Sequence, residues 1–182
     1  MPAAAEAWAF LENSDLVSSA AEVEAAIGRL AMAIEVQLRD SYPLVLLVMG
    51  GAVVFAGQLL PRLRIPLDLD YIHVTRYGAE TRGGKVHWKV DPPESVRGRN
   101  VLVIDDILDG GYTMAAIRDR VMEKGAATFA CAVLVEKRLK APKPVRADFV
   151  GLSVPDRFVF GCGMDARGLW RNLPEIRAMR GA

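Results

Sequence analysis

The segment 101–113, VLVIDDILDGGYT, concentrates the residue types that could do chemistry. An apolar run leads into two adjacent carboxylates, Asp105 and Asp106, then Asp109, the pair Gly110 and Gly111, Tyr112 and Thr113. A glycine-rich turn lets backbone amides converge on an anion, and a helix starting there adds partial positive charge. The Thr113 hydroxyl adds a donor. Together these make a cradle for a phosphate monoester. The acids need another partner, because carboxylates facing a phosphate would repel it. Ribose hydroxyls, a bound Mg²⁺ or a developing positive charge would each suit them. A pentose phosphate whose C1 becomes cationic offers all three. A solvated acidic turn with a capping threonine is the plainer alternative, but it does not account for the whole order of strand, acids, glycines, threonine and helix.

Such a turn needs a buried strand before it and a helix after it. Residues 101–104 are the strand, with Asp105 and Asp106 expected at its carboxyl end. Residues 113–124 are the helix, with Met114, Ile117 and Val121 on one face and Gly125 as C-cap. Upstream, Val23, Ile27, Leu30, Ile34 and Leu38 recur at helical spacing, and Ser19 with Glu22 has the form of a capping box. The first forty residues therefore read as helical, broken by Ser41, Tyr42 and Pro43. The continuous apolar run 44–48 reads as a strand buried on both faces, ended by Met49, Gly50 and Gly51, with a helix over 52–60. Further strands are expected at 68–75, 129–135, 148–154 and 158–160, and a turn of helix in the tail 165–182. The polar stretch 76–100 is long for a connection inside a compact domain, which marks it as functional or mobile, with a short hairpin around 85–90. Alternating strands and helices predict an α/β fold, a largely parallel twisted sheet flanked by helices. The whole chain reads as one domain, with a core over about 40–150 and a small hood from about 1–39 and 151–182.

Composition narrows the classes. The 182 residues are 52% hydrophobic, enough for a substantial core, and carry a formal net charge of +1. That balance gives no global field for nucleic acid or an anionic membrane. Cys131 and Cys162 sit in apolar stretches without metal-ligand spacing and read as packed free thiols. The acidic N-terminus lacks the form of a signal peptide and no apolar stretch reaches membrane-spanning length, so a cytoplasmic protein is expected.

The segment 101–113 resembles the phosphoribosyl-pyrophosphate motif of type I phosphoribosyltransferases, departing from it at Gly110, where threonine is frequent. The segments VEKR, 135–138, and DFVGLSVPDRFVFGCGMD, 148–165, are similar to the hypoxanthine-guanine (6-oxopurine) members, and the likeness runs over about 44–171. The resemblance implies that the chain transfers phosphoribosyl from phosphoribosyl pyrophosphate to N9 of hypoxanthine or guanine. It implies Mg²⁺ held through Asp105, Asp106 and Asp165, with Asp105 and Asp106 on the ribose. Asp109 would be the base near N7, and the amides from Asp109 to Thr113 would hold the 5′-phosphate. Lys137 would donate to the purine O6, Phe158 would stack on the ring, and Val159 with Asp165 would line the base site. Met49, Gly50 and Arg171 would contact pyrophosphate, with a cis peptide between Val48 and Met49. Segment 76–91 would be a lid carrying Tyr77, and the assembly a homodimer or homotetramer. His73 and His87 match no motif and receive no role.

Two alternatives stand beside this. One is a phosphoribosyltransferase for another base, xanthine first, since xanthine differs from guanine only at position 2. The other is a regulator that senses phosphoribosyl pyrophosphate and binds nucleic acid. That role needs a basic face or an added module, and a near-neutral chain with an acidic amphipathic helix before its first core strand does not supply one.

Overall fold

The structure is a computed structural model and describes residues 4–76 and 86–181. Two sheets organise it. The larger takes β2 (Leu44–Val48), β3 (Asp68–Arg76), β4 (Val86–Val90), β5 (Asn100–Leu108), β6 (Thr128–Arg138) and β7 (Phe149–Pro155), in the order β4-β3-β2-β5-β6-β7. All neighbours are parallel except β4, which runs antiparallel to β3 at one edge. The central strands are almost wholly buried, as their unbroken apolar runs require.

Two helices follow from the crossover rule. The helix α3 (Ala52–Leu59) links β2 to β3, and α4 (Tyr112–Glu123) links β5 to β6. These connections run in opposite directions along the sheet, so right-handed crossovers put the helices on opposite faces. The strand order therefore reverses between β2 and β5, and a crevice opens beyond their carboxyl ends, where such folds bind ligands.

The N-terminal segment differs from a single helix. It forms α1 (Ala4–Glu12), β1 (Ser14–Ser18) and α2 (Ala20–Leu38). The capping box is present, with Ser19 Oγ accepting from the Glu22 amide and Glu22 accepting from the Ser19 amide at 2.7 Å. The stripe from Val23 to Leu38 is buried, and Leu30 reaches Gly151 on β7. Thus α2, expected in the hood, packs on the main sheet, and β7, most of which was also expected there, is that sheet's edge strand. The hood itself is a small antiparallel sheet, β1-β9-β8, made from β1, β8 (Val159–Phe160) and β9 (Ile176–Met179). The tail expected to form a turn of helix supplies β9 instead, because Ile176 and Ala178 alternate with Arg177 and Met179 and bury one face. Phe158 precedes β8 rather than beginning it. Asp15 ties the hood together, accepting from Arg157 at 2.6 Å and from Arg180 at 2.9 Å.

Candidate active site

The strand β5 runs four residues further than the apolar run alone suggests, so Asp105 and Asp106 lie inside it rather than at its end. Both side chains are buried, yet both line a cavity of about 840 Å³ at the crevice mouth. The Asp106 amide donates to Asp105 Oδ1 at 2.9 Å. Burial, then repulsion from Asp106, pushes the Asp105 carboxyl well above its usual range; burial also raises Asp106. Two crowded, desolvated acids facing a cavity suit a cation that would relieve both costs. A divalent metal could take these carboxylates and complete its shell from substrate oxygens and water. Asp165 borders the same cavity from the hood. Its oxygens are engaged by the Arg171 guanidinium and by the Gly168 amide at 2.6 Å. Among the described residues no three acidic, histidine or cysteine side chains gather into a metal cluster.

The loop after β5 has the geometry of an anion cradle. Gly111 is left-handed, φ +80, and caps α4, which begins at Tyr112 rather than Thr113. Gly110, Tyr112 and Thr113, at the start of α4, border the cavity. Gly111 is also packed closely by segment 143–145, so its side chain-free Cα serves two needs.

Opposite, the turn after β2 carries Met49, Gly50 and Gly51. The cis peptide lies between Met49 and Gly50, one residue later than expected. The Met49 amide donates to the Ile72 carbonyl at 2.8 Å, extending the ladder to β3. Gly51 answers a steric demand the sequence did not reveal. A Cβ there would stand 2.6 Å from Asp106 Cγ and closer still to Oδ2. Gly163, φ +104, brings the hood against the same turn, where a Cβ would overlap the Gly51 carbonyl. Three segments distant in sequence thus meet around the Asp106 carboxylate.

A smaller recess of about 190 Å³ adjoins the cavity, lined by Asp109, Lys137, Phe158, Val159 and Asp165 among others. Lys137 Nζ donates to Asp109 Oδ2 at 2.9 Å. Phe158 is 45% exposed, so its ring is not spent on the core, while Phe160 is fully buried against Phe10. Val159 is buried and pairs with Ala178 of β9. Arg171 reaches the large cavity from the hood, held by the Gly163 carbonyl at 2.6 Å and by Asp165. Tyr77 lies outside the described residues, as does most of the expected lid; β4, near its end, forms a hairpin arm with β3.

Several lining residues had no sequence role. His73 and Thr75 of β3 border the cavity near the Met49 turn. The signal was alternation: Ile72 and Val74 are buried, which turns His73 and Thr75 to the other face.

The family model "Phosphoribosyl transferase domain" matches residues 15–167 of the chain. The hypoxanthine-guanine phosphoribosyltransferase of Bacillus subtilis is 32% identical over 162 residues, covering 88% of this chain and 90% of that protein. The hypoxanthine phosphoribosyltransferase of Salmonella typhimurium is 31% identical, covering 86% and 89%. Among solved structures, a point mutant of the Trypanosoma cruzi hypoxanthine phosphoribosyltransferase, in a ternary substrates complex, superposes with a TM-score of 0.84 at 27% identity, covering 93% and 97%. The family model spans most of the chain and these relatives match it nearly end to end, so the chain belongs to the phosphoribosyltransferase family, on its hypoxanthine-guanine branch.

Proposed function

We propose that this enzyme transfers the phosphoribosyl group of phosphoribosyl pyrophosphate to N9 of hypoxanthine or guanine, releasing pyrophosphate. The observation that carries the base assignment is Lys137 beside Asp109 in the recess next to the phosphate cradle. An ammonium has donors only, so it selects an oxo group over an amino group at purine position 6. Asp109 accepts from the base at N7 or N9 and holds the proton that N9 attack releases. Phe158 offers its exposed ring to the purine face and Val159 lines the recess beneath. The amides from Gly110 to Thr113 hold the 5′-phosphate at the start of α4. Asp105 and Asp106 hold the ribose hydroxyls and favour positive charge at C1 as its bond to pyrophosphate lengthens. Arg171, with backbone from Met49 and Gly50, receives the leaving pyrophosphate. Asp105, Asp106 and Asp165 would hold Mg²⁺, which would supply the positive charge that neutralises the leaving group.

The working form is proposed to be a homodimer or homotetramer outside membranes, in the cytoplasm. Exposed Met32 and Val36 on α2 support association of copies. No helix among the described residues is long and apolar enough to cross a membrane. The test is incubation with phosphoribosyl pyrophosphate, Mg²⁺ and each of hypoxanthine, guanine, xanthine, adenine and uracil. IMP and GMP are the expected products. Turnover of adenine or uracil in preference to these would refute the reading.

A further inference from the structure

The ends of β5 and β6 carry Asp109 and Lys137, and something must fix their separation. The parallel ladder between these strands ends at the pair Leu108 and Glu136. Beyond it β5 turns into the phosphate loop, while β6 continues beside β7 to Arg138. The strands part at the point where the base recess begins, and no backbone hydrogen bond of the β5–β6 ladder spans the gap.

A lysine spans it instead. Lys143 Nζ donates to the Lys137 carbonyl at 2.7 Å, to the Leu108 carbonyl at 2.9 Å and to Glu136 Oε1 at 3.2 Å. Its side chain is only 10% exposed. An ammonium has three donors, and here all three have acceptors, two of them main-chain carbonyls on different strands. A cation withdrawn from water is costly unless so satisfied. The other end of the same residue touches the phosphate loop: a Cβ on Gly111 would lie 3.2 Å from Lys143 Cβ. The following residue is fastened to α4, with Arg118 Nη1 donating to the Pro144 carbonyl at 3.4 Å. The residues around Lys143 thus form a strap from α4 over the phosphate loop to the strand ends.

We propose that Lys143 is a positioning residue for the transfer, a clamp that replaces the missing ladder bonds and sets Asp109 and Lys137 at the spacing a purine requires. The inference rests on the proposed function. The phosphate cradle has its own support from α4, where the Ala115 amide donates to the Gly111 carbonyl at 2.9 Å. The base recess, shared between two strands, depends on the clamp. Loss of Lys143 therefore acts on the base more than on phosphoribosyl pyrophosphate.

Steady-state kinetics of the full chain with hypoxanthine, phosphoribosyl pyrophosphate and Mg²⁺ test this in wild type and in Lys143→Arg, Lys143→Gln and Lys143→Met. The clamp predicts a graded fall in kcat/KM for hypoxanthine, smallest in Arg and reaching about tenfold to 100-fold in Met, as a misplaced reacting geometry costs. KM for phosphoribosyl pyrophosphate should change by less than about threefold over the same series, since its cradle is retained. If Met does not fold, the Arg and Gln variants carry the same comparison. An ungraded series, kcat/KM for hypoxanthine equal to wild type, or equal losses for both substrates tracking a lowered Tm would each overturn the clamp. Absence of wild-type turnover would instead overturn the functional reading, and the role of Lys143 with it.

Discussion

Lys137 and Asp109 come from different strands, β6 and the loop after β5, and pair at 2.9 Å across the mouth of the base recess. Under the proposed function one would be the donor to a 6-oxopurine and the other the acceptor, and their pairing holds both side chains at the recess. The Asp109 side chain is 56% exposed, so the pair contributes little to folding, under about 1 kcal/mol.

Asp109→Asn should therefore reduce kcat by roughly 100-fold or more while changing Tm little, because it removes a base and not a structural tie. Stopped-time assays at saturating substrates, with melting curves on the same samples, check both halves. Wild-type turnover in the variant would reject Asp109 as the base.

Gly51→Ala isolates a steric requirement. Gly51 has φ −65, which alanine adopts freely, so the backbone offers no objection. The obstacle is the Asp106 carboxylate, which the new methyl would displace. Overpacking of this kind costs about 1–3 kcal/mol, and here the moved group is a proposed ribose ligand. A loss of activity far larger than the loss of stability is expected from paired kinetic and denaturation measurements.

Much of the site was legible because it is local in sequence. The order of acids, glycines and threonine from Asp105 to Thr113 implied strand, glycine turn and helix together, and the structure has all three. The buried stripe of α2 and its capping box were equally plain. What sequence did not show depends on partners far along the chain. The five residues of β1 have too little pattern to announce a strand, and their partner β9 lies at the other end of the molecule. The extra length of β5 was hidden because two acids in a buried strand contradict the usual alternation. Lys143 lies in a run of lysines and prolines that carries no motif; only the parting of β5 and β6 gives it acceptors.

Asp105→Asn sets stability against function. Burial and the neighbouring Asp106 hold the Asp105 carboxyl well above its unfolded value. A raised carboxyl loses stability as pH climbs from the unfolded pKa towards the folded one, because the folded state must then bury a charge. The neutral amide avoids that loss. Without substrate and with a chelator present, the variant should melt higher than wild type at neutral pH, yet be impaired in transfer. A lower Tm would show that the acid pair is not a source of stored cost.

The two thiols should be silent in the native protein. Burial pushes Cys131 up to about 12 and Cys162 up to about 11. A raised thiol pKa means that the unfolded chain gives up its proton first as pH rises, so stability should fall progressively above about pH 9. Below that, labelling by a thiol reagent at about pH 8 should be slow and should become rapid in denaturant. Fast stoichiometric labelling of the native enzyme would contradict the packing of both residues.

The central claim is that the recess beside the cradle reads a 6-oxo group. The ratio of kcat/KM for hypoxanthine to that for adenine, with phosphoribosyl pyrophosphate and Mg²⁺ held constant, measures it directly. A site built to donate a hydrogen bond to an oxo group should favour hypoxanthine by roughly 10⁴-fold, because adenine leaves the Lys137 donor unpaired. A ratio near one, or one favouring adenine, would contradict the account.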